Sequence, residues 1–190
     1  MNKPAFAVWL TGLPGAGKSV ISEELRKRLE EKHINVYLLR MDNMRNYVTP
    51  EPKYTDDERQ LIYNAFSFTT KLLVENGVNV IMDATGNLRK YRKLAKKIIP
   101  NYLEIFIKCP LKLAIKREVK RKDTKEAPEE IYEKALQDEA ENVPGLQAEY
   151  EQPKHPDVIV QSDKLDIQES AAKIFEEVQN RFEFIRKKIS

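Results

Sequence analysis

The sequence reads Gly12-Leu13-Pro14-Gly15-Ala16-Gly17-Lys18-Ser19 near its start, which is the G-x-x-x-x-G-K-[ST] spacing of a phosphate-binding loop. An apolar run at residues 6–10 precedes it, and a pattern with apolar residues on one helical face follows it. A strand, a glycine-rich turn and a helix are the context in which this motif binds phosphate. Backbone N–H groups and the positive end of the helix dipole then point at the same anion. The stretch therefore predicts a nucleotide-binding α/β protein.

Two residues of this loop carry side chains suited to a nucleotide triphosphate. The Lys18 ammonium is expected to reach the β- and γ-phosphates of ATP, and the Ser19 hydroxyl is expected to ligate Mg²⁺. Two arginines further along the chain are expected to close over ATP. The predicted ATP-binding residues are Gly12, Leu13, Pro14, Gly15, Ala16, Gly17, Lys18, Ser19, Arg117 and Arg121.

Apolar runs alternate with amphipathic helical patterns along the whole chain. Strands are predicted at residues 6–10, 36–39, 78–82, 102–107 and 158–160, and helices at residues 18–32, 55–75, 88–99, 111–121 and 167–189. This alternation predicts one domain over residues 1–190, a P-loop NTPase fold of three α/β/α layers with a five-stranded parallel sheet. The long charged stretch at residues 120–151 is predicted to form a lid that contains a short helix around Ile131 and Tyr132.

Composition excludes several classes of protein. The single cysteine, Cys109, cannot build a disulfide framework or a cysteine-rich metal centre. No apolar run approaches membrane-spanning length, and residues 1–20 lack the apolar core of a signal peptide. We therefore expect a cytoplasmic protein without a membrane partner. Residues 86–125 hold fourteen Lys or Arg against three Asp or Glu, which favours an anionic substrate and leaves nucleic acid as a less favoured partner.

Two aspartates are candidates for the chemistry of phosphoryl transfer. Asp42 and Asp83 each follow a predicted strand, so both should lie at the carboxyl edge of the sheet, where α/β proteins bind ligands. Asp42 is favoured as the group that orients or deprotonates an acceptor hydroxyl, and Asp83 as the carboxylate that holds Mg²⁺ through water. The sequence does not decide between the two assignments.

Arginines near the same edge are candidates for holding an anionic acceptor, because the planar guanidinium matches phosphate and sulfate oxygens. An aromatic ring in the same region is a candidate for stacking on a base. The predicted catalytic residues are Lys18, Asp42 and Arg45. The predicted substrate-binding residues are Asp42, Arg45, Tyr54, Arg59 and Arg89, with Arg92 as a further candidate clamp.

Four segments resemble the adenylylsulfate (APS) kinase family, and they are spread over nearly the whole chain. Residues 12–19 are similar to its G-L-x-G-x-G-K-S motif, and residues 109–111 to its [CT]-P-L motif. Residues 40–45 are similar to its D-G-D-N-V-R motif, in which they match the second aspartate, the asparagine and the arginine. Residues 145–156 are similar to its G-[IV]-x-x-x-Y-E-x-P-x-x-P. The resemblance implies an enzyme of sulfate assimilation that transfers the γ-phosphate of ATP to the 3′-hydroxyl of adenylylsulfate.

The departures from this family fall in the acceptor-binding segments. Its R-x-x-N-x-R-R keeps only Arg59 here, its S-P-Y-R keeps only Arg89, and its K-G-F-T-G keeps only Gly145. Another small hydroxyl acceptor or a polynucleotide 5′-hydroxyl is therefore an alternative, and residues 83–87 resemble the D-x-T-N strand ending of polynucleotide kinase-like enzymes. A nucleotide-binding regulatory protein is the alternative from another class. The sequence also leaves a homodimer open.

Overall fold

The computed structural model describes residues 4–120, 143–183 and 185. Within these ranges the strands are β1 Ala7–Thr11, β2 Val36–Arg40, β3 Asn79–Asp83, β4 Tyr102–Lys108 and β5 Val158–Gln161. The helices in the same ranges are α1 Lys18–Glu31, α2 Met41–Val48, α3 Asp56–Glu75, α4 Arg89–Ile98, α5 Leu111–Val119 and α6 Ile167–Arg181. Each of the five predicted strands is present, with one or both of its ends shifted by one residue.

The five strands form one parallel sheet in the order β2-β3-β1-β4-β5, which confirms the predicted sheet. The central strand β1 has β3 on one side and β4 on the other, and the chain crosses over β1 between β3 and β4. Leu10 of β1 lies opposite Asp83 of β3, which in turn lies opposite Arg40 of β2. The carboxyl ends of these three strands therefore meet at one edge, where a crevice forms in sheets of this kind.

Side chains alternate between the two faces of β1 and create the three layers. Val8 and Leu10 belong to a core shared with α1 and α6, whereas Ala7 and Trp9 belong to a core shared with α3 and α4. All four residues are fully buried. The predicted α/β/α arrangement is confirmed, and the loop that follows β1 is held from both sides of the sheet.

Helix α3 begins as the sequence predicts, because the Thr55 hydroxyl accepts the Glu58 N–H at 3.3 Å. Helix α2 was not predicted, since its eight residues are too short and too polar to show a clear apolar period. The short helix predicted around Ile131 and Tyr132 lies outside the described residues. None of the described helices is long and apolar enough to cross a membrane.

Candidate active site

The phosphate-binding loop turns tightly between β1 and α1, and two of its glycines are required by close packing. A Cβ on Gly12 would lie 2.5 Å from the carbonyl oxygen of Ile107 in β4. Gly15 has a φ of 72°, and a Cβ there would overlap the carbonyl oxygen of Ala114 in α5. Any larger residue would push the loop away from its neighbours. The loop is therefore fixed against β4 and α5 by its backbone.

Lys18 opens helix α1 and lies over the loop. Its side chain is buried, and its ammonium donates to the carbonyl oxygen of Leu13 at 3.0 Å. One turn later the Ser22 hydroxyl contacts both the Ser19 carbonyl oxygen, at 3.0 Å, and Oδ2 of Asp83, at 3.5 Å. Ser22 thus links the two residues that the sequence predicts at a metal site. The structure places Ser19 and Asp83 around the same turn of α1.

Arg117 lies on α5 and contacts the far side of the phosphate-binding loop through Ser162. Its guanidinium donates to the carbonyl oxygen of Ser162 at 2.7 Å and lies 3.8 Å from the sulfur of Cys109. The Ser162 hydroxyl in turn donates to the Ala16 carbonyl oxygen at 2.8 Å. Arg117 is therefore next to the loop, as its predicted role at ATP requires. Arg121, the other predicted arginine, lies outside the described residues.

Asp42 and Arg45 line an open cleft at the end of β2. Asp42 is in the first turn of α2, where the helix dipole favours a negative charge. The cleft is lined by Asp42, Arg45, Asn46, Thr49, Pro50, Pro52 and Tyr54. Three of the predicted substrate-binding residues thus share one concave surface beside the carboxyl edge of the sheet.

Two arginines flank the ring of Tyr54 in this cleft. The Arg45 guanidinium lies 5.0 Å from the ring centre and that of Arg59 5.9 Å away, within cation–π range. Arg59 also donates to the Tyr54 carbonyl oxygen at 3.1 Å, and Glu58 binds Arg45 at 2.9 Å. Burial is the largest cause of the raised pKa of Tyr54; the nearby Arg45 opposes it and Asp42 adds to it. Asp42, Arg45, Tyr54 and Arg59 therefore form one charged cluster.

Arg89 contacts a different part of the molecule, which we call the strap (residues 143–157). Its backbone N–H and its guanidinium donate to the two carboxylate oxygens of Glu151, at 2.6 and 2.8 Å. The Asn87 side chain donates to the Glu149 carbonyl oxygen at 3.1 Å, and the Glu151 N–H donates to the Asn87 carbonyl oxygen at 2.8 Å. The strap includes the last part of the predicted lid, and these contacts fix it to the loop after β3.

Arg92 is wrongly predicted as a clamp for the acceptor. Its side chain is 1% exposed and forms an ion pair with Glu104 of β4 at 2.7 Å. The same guanidinium donates to the Gly86 carbonyl oxygen, and to the Glu151 carbonyl oxygen at 2.5 Å. This buried guanidinium is bonded through all three of its nitrogens inside the protein, so it is not available to a substrate. Arg92 instead joins α4, β4 and the strap.

Tyr150 connects the strap to the residue that precedes the phosphate-binding loop. The Thr11 hydroxyl donates to the Thr85 carbonyl oxygen at 2.5 Å, so the Tyr150 hydroxyl donates in the 3.0 Å bond between Tyr150 and Thr11. The Tyr150 ring stacks on Phe106, with 6.2 Å between ring centres. Burial raises the pKa of Tyr150 to about 12. A neutral hydroxyl therefore ties the two sides of the site together at ordinary pH.

Sequence reasoning missed the role of Glu58 and misassigned Arg92. Glu58 lies in the first turn of the predicted helix at residues 55–75, and its carboxylate binds both Arg45 and the Lys53 N–H. No local pattern reveals that contact, because α2 had not been predicted. A signal for Arg92 was present, since Tyr91, Arg92 and Ala95 share the buried face of α4 at helical spacing.

The sheet order, the phosphate-binding loop and the polar cleft at the same edge define a P-loop kinase. Comparisons with known proteins narrow this class. A family model described as adenylylsulphate kinase matches residues 4–161. An adenylyl-sulfate kinase of Halothermothrix orenii is 32% identical over 180 residues, 95% of this chain and 92% of that protein. A probable adenylyl-sulfate kinase of Archaeoglobus fulgidus is 33% identical over 162 residues, 85% of this chain and 99% of that protein.

A solved structure agrees with these sequence matches. The APS kinase of Mycobacterium tuberculosis, in complex with AMPPNP and APS, has a TM-score of 0.83 and is 28% identical, covering 93% of this chain and 99% of that one. The chain therefore belongs to the adenylylsulfate kinase family. It is an ATP-dependent kinase that acts on a hydroxyl group.

Proposed function

We propose that this protein transfers the γ-phosphate of ATP to the 3′-hydroxyl of adenylylsulfate. The observation that carries the proposal is the position of the cleft around Asp42 and Arg45, at the same sheet edge as the phosphate-binding loop. Phosphoryl transfer requires a phosphate cradle, an oriented acceptor and cations near the transferring group. The relatives named adenylyl-sulfate kinase and the relative solved with APS support adenylylsulfate as that acceptor.

On the donor side, the backbone of residues 12–19 surrounds the phosphates and Lys18 neutralises them. Lys18 donates to the loop's own Leu13 carbonyl oxygen, so its ammonium is already at the mouth of the loop. A small rotation of this flexible side chain would exchange that carbonyl for a phosphate oxygen. Arg117, held by Ser162, borders the loop on the side of α5.

On the acceptor side, Asp42 orients the hydroxyl or accepts its proton. Arg45 and Arg59 provide positive charge for the phosphate and sulfate groups of the acceptor, and Tyr54 provides a ring for its base. Glu58 limits the motion of Arg45 and so preorganises the cleft. Arg89 lies outside this cluster, because its guanidinium is paired with Glu151 in the strap.

Ser19 and Asp83 are suited to hold Mg²⁺ together with ATP. Asp83 is 6% exposed. Its carboxylate lies 3.5 Å from the Ser22 hydroxyl and 4.0 Å from the Arg40 guanidinium, and both distances are long for a hydrogen bond. The carboxylate oxygens can therefore still accept a hydrogen bond from a metal-bound water. Hydroxyl, carboxylate and phosphate oxygens are the ligands Mg²⁺ prefers. The ion, when bound, would offset the negative charge of the transferring phosphate group.

The test is transfer of labelled γ-phosphate from ATP to a panel of acceptors. We expect label on adenylylsulfate and little on adenosine 5′-monophosphate, which has the same 3′-hydroxyl but lacks the sulfate. Label on a 5′-hydroxyl oligonucleotide, with a steep dependence on salt, would instead establish the polynucleotide alternative. ATP binding without label on any acceptor would favour a regulatory protein. Either of these last two results would contradict the proposed function.

A further inference from the structure

A network of charges joins three elements at the end of β2. Arg40 is the last residue of β2 and lies in register with Asp83, the last residue of β3. Its guanidinium forms a close ion pair with Glu23 of α1, and its Nε lies 4.0 Å from Oδ2 of Asp83. Glu23 comes one helical turn after Ser19. The network is thus next to the pair of residues proposed to hold Mg²⁺.

The hydrogen bonds of this network are incomplete. Among the described residues, Nε of Arg40 is buried and has no hydrogen-bond partner. At 4.0 Å, its distance to Asp83 is too long for a hydrogen bond but short enough for a strong charge interaction. Arg40 therefore compensates the charge of Asp83 without occupying the bonding positions of its carboxylate. A metal-bound water can still approach those oxygens.

Glu23 has a second arginine partner, Arg26. It allows the effect of an arginine on Glu23 to be separated from the effect of Arg40 on Asp83. Arg26 binds Oε2 of Glu23 at 2.8 Å, whereas Arg40 binds Oε1. Burial alone would raise the pKa of Glu23, but the hydrogen bonds from Arg40 and Arg26 outweigh it, and that pKa is lowered. Both arginines thus stabilise an ionised Glu23, and Arg40 extends further to Asp83.

We propose that Arg40 is a positioning residue that acts through Asp83 and makes Mg²⁺ binding depend on ATP. Its charge balances the buried Asp83 carboxylate when no metal is present and repels a free divalent cation. The phosphates of ATP add negative charge on the other side of the metal position and reverse that balance. This inference rests on the proposed function, because it takes Asp83 as the carboxylate that holds Mg²⁺.

The test is the affinity of the nucleotide-free protein for Mn²⁺, measured by the loss of the free-ion electron paramagnetic resonance signal. Arg40→Gln should raise this affinity by about tenfold, because one positive charge close to the carboxylate is removed. Arg40→Lys keeps the charge and should stay close to wild type. Arg26→Gln is the matched control, since it removes the other arginine from Glu23. The gain should vanish when Arg40→Gln is combined with Asp83→Asn.

An unchanged or weakened Mn²⁺ affinity in Arg40→Gln would overturn the inference, as would an equal gain in Arg26→Gln. Thermal unfolding establishes whether each variant is folded, and Arg40→Met, which keeps the apolar stem of the side chain, replaces Arg40→Gln if that variant does not fold. The measurement involves no acceptor. Failure to phosphorylate adenylylsulfate would therefore not change the measured Mn²⁺ affinities. An unchanged Mn²⁺ affinity in Arg40→Gln would likewise not change the result of the acceptor assay.

Discussion

The donor side and the acceptor side of the candidate site are built in different ways. The phosphate-binding loop is one continuous stretch, and backbone packing against Ile107 and Ala114 fixes its shape. The acceptor side combines α2, the start of α3, the loop after β3 and the strap, which are joined by charged side chains. A site made from local backbone is recognisable as a motif, whereas a site made from distant side chains is recognisable only after folding.

If the donor side depends on its backbone and one ammonium, Lys18→Ala should cause the largest loss. We expect γ-phosphate transfer to fall by at least about a thousandfold, because the loop would keep its shape and lose the charge that meets the phosphates. Steady-state kinetics with labelled ATP measures the loss. Lys27→Ala is the matched control, since Lys27 is an exposed lysine on the same helix. Transfer at the wild-type rate in Lys18→Ala would refute the donor assignment.

If the acceptor side depends on internal charge pairs, Arg92→Met should destabilise the fold by roughly 3–5 kcal/mol, because Glu104 would be left buried without a counter-ion. Arg89→Met removes a more exposed pair with Glu151 and should cost about 1 kcal/mol or less. Urea unfolding of both variants gives the two free energies. Equal losses of unfolding free energy in the two variants would show that burial does not determine how much each ion pair contributes to stability.

Asp42 is the acceptor residue expected to affect turnover without affecting ATP binding. Asp42→Asn should lower kcat by about a hundredfold, because the amide cannot accept the proton of the hydroxyl. ATP affinity, measured by calorimetry, should stay unchanged, since Asp42 belongs to the cleft and not to the phosphate-binding loop. Asp57→Asn, an exposed aspartate in the first turn of α3, provides the control. An unchanged kcat would leave Asp42 only its favourable charge at the positive end of α2.

A small effect is expected where the two sides touch. Tyr150→Phe removes the hydrogen bond to Thr11 and should cost about 1 kcal/mol of stability at pH 7. The raised pKa of Tyr150, about 12, means that its stabilising contribution is complete below about pH 10 and is lost as the pH rises from 10 to 12. This rise of the pKa from 10.0 to about 12 corresponds to roughly 2.7 kcal/mol, more than the hydrogen bond contributes. The two unfolding free energies should therefore converge and then cross as the pH rises. A constant difference would contradict that pKa.

A part of this structure is predictable from the sequence where residues close together in the chain determine it. Five strands and five of the described helices follow from apolar runs and helical periods. Helix α2 escaped prediction because tertiary contacts, such as that between Arg45 and Glu58, replace a clear apolar face. Residues 12–19 and 42–45 were located correctly at the sheet edge for the same local reason. The burial of Arg92 could be inferred from helical spacing, but its partner Glu104 could not, because it lies on another strand.

The strap also has a consequence for how the protein refolds. Glu151 of the strap contacts Arg89 and Arg92 of α4, which lie 62 and 59 positions earlier in the chain. The strap also contacts the loop after β3. The strap can dock only after those elements have assembled, and long loops close slowly. During refolding, recovery of nucleotide binding should precede recovery of acceptor turnover. In the native protein, the amides of the strap should exchange with solvent sooner than those of β1.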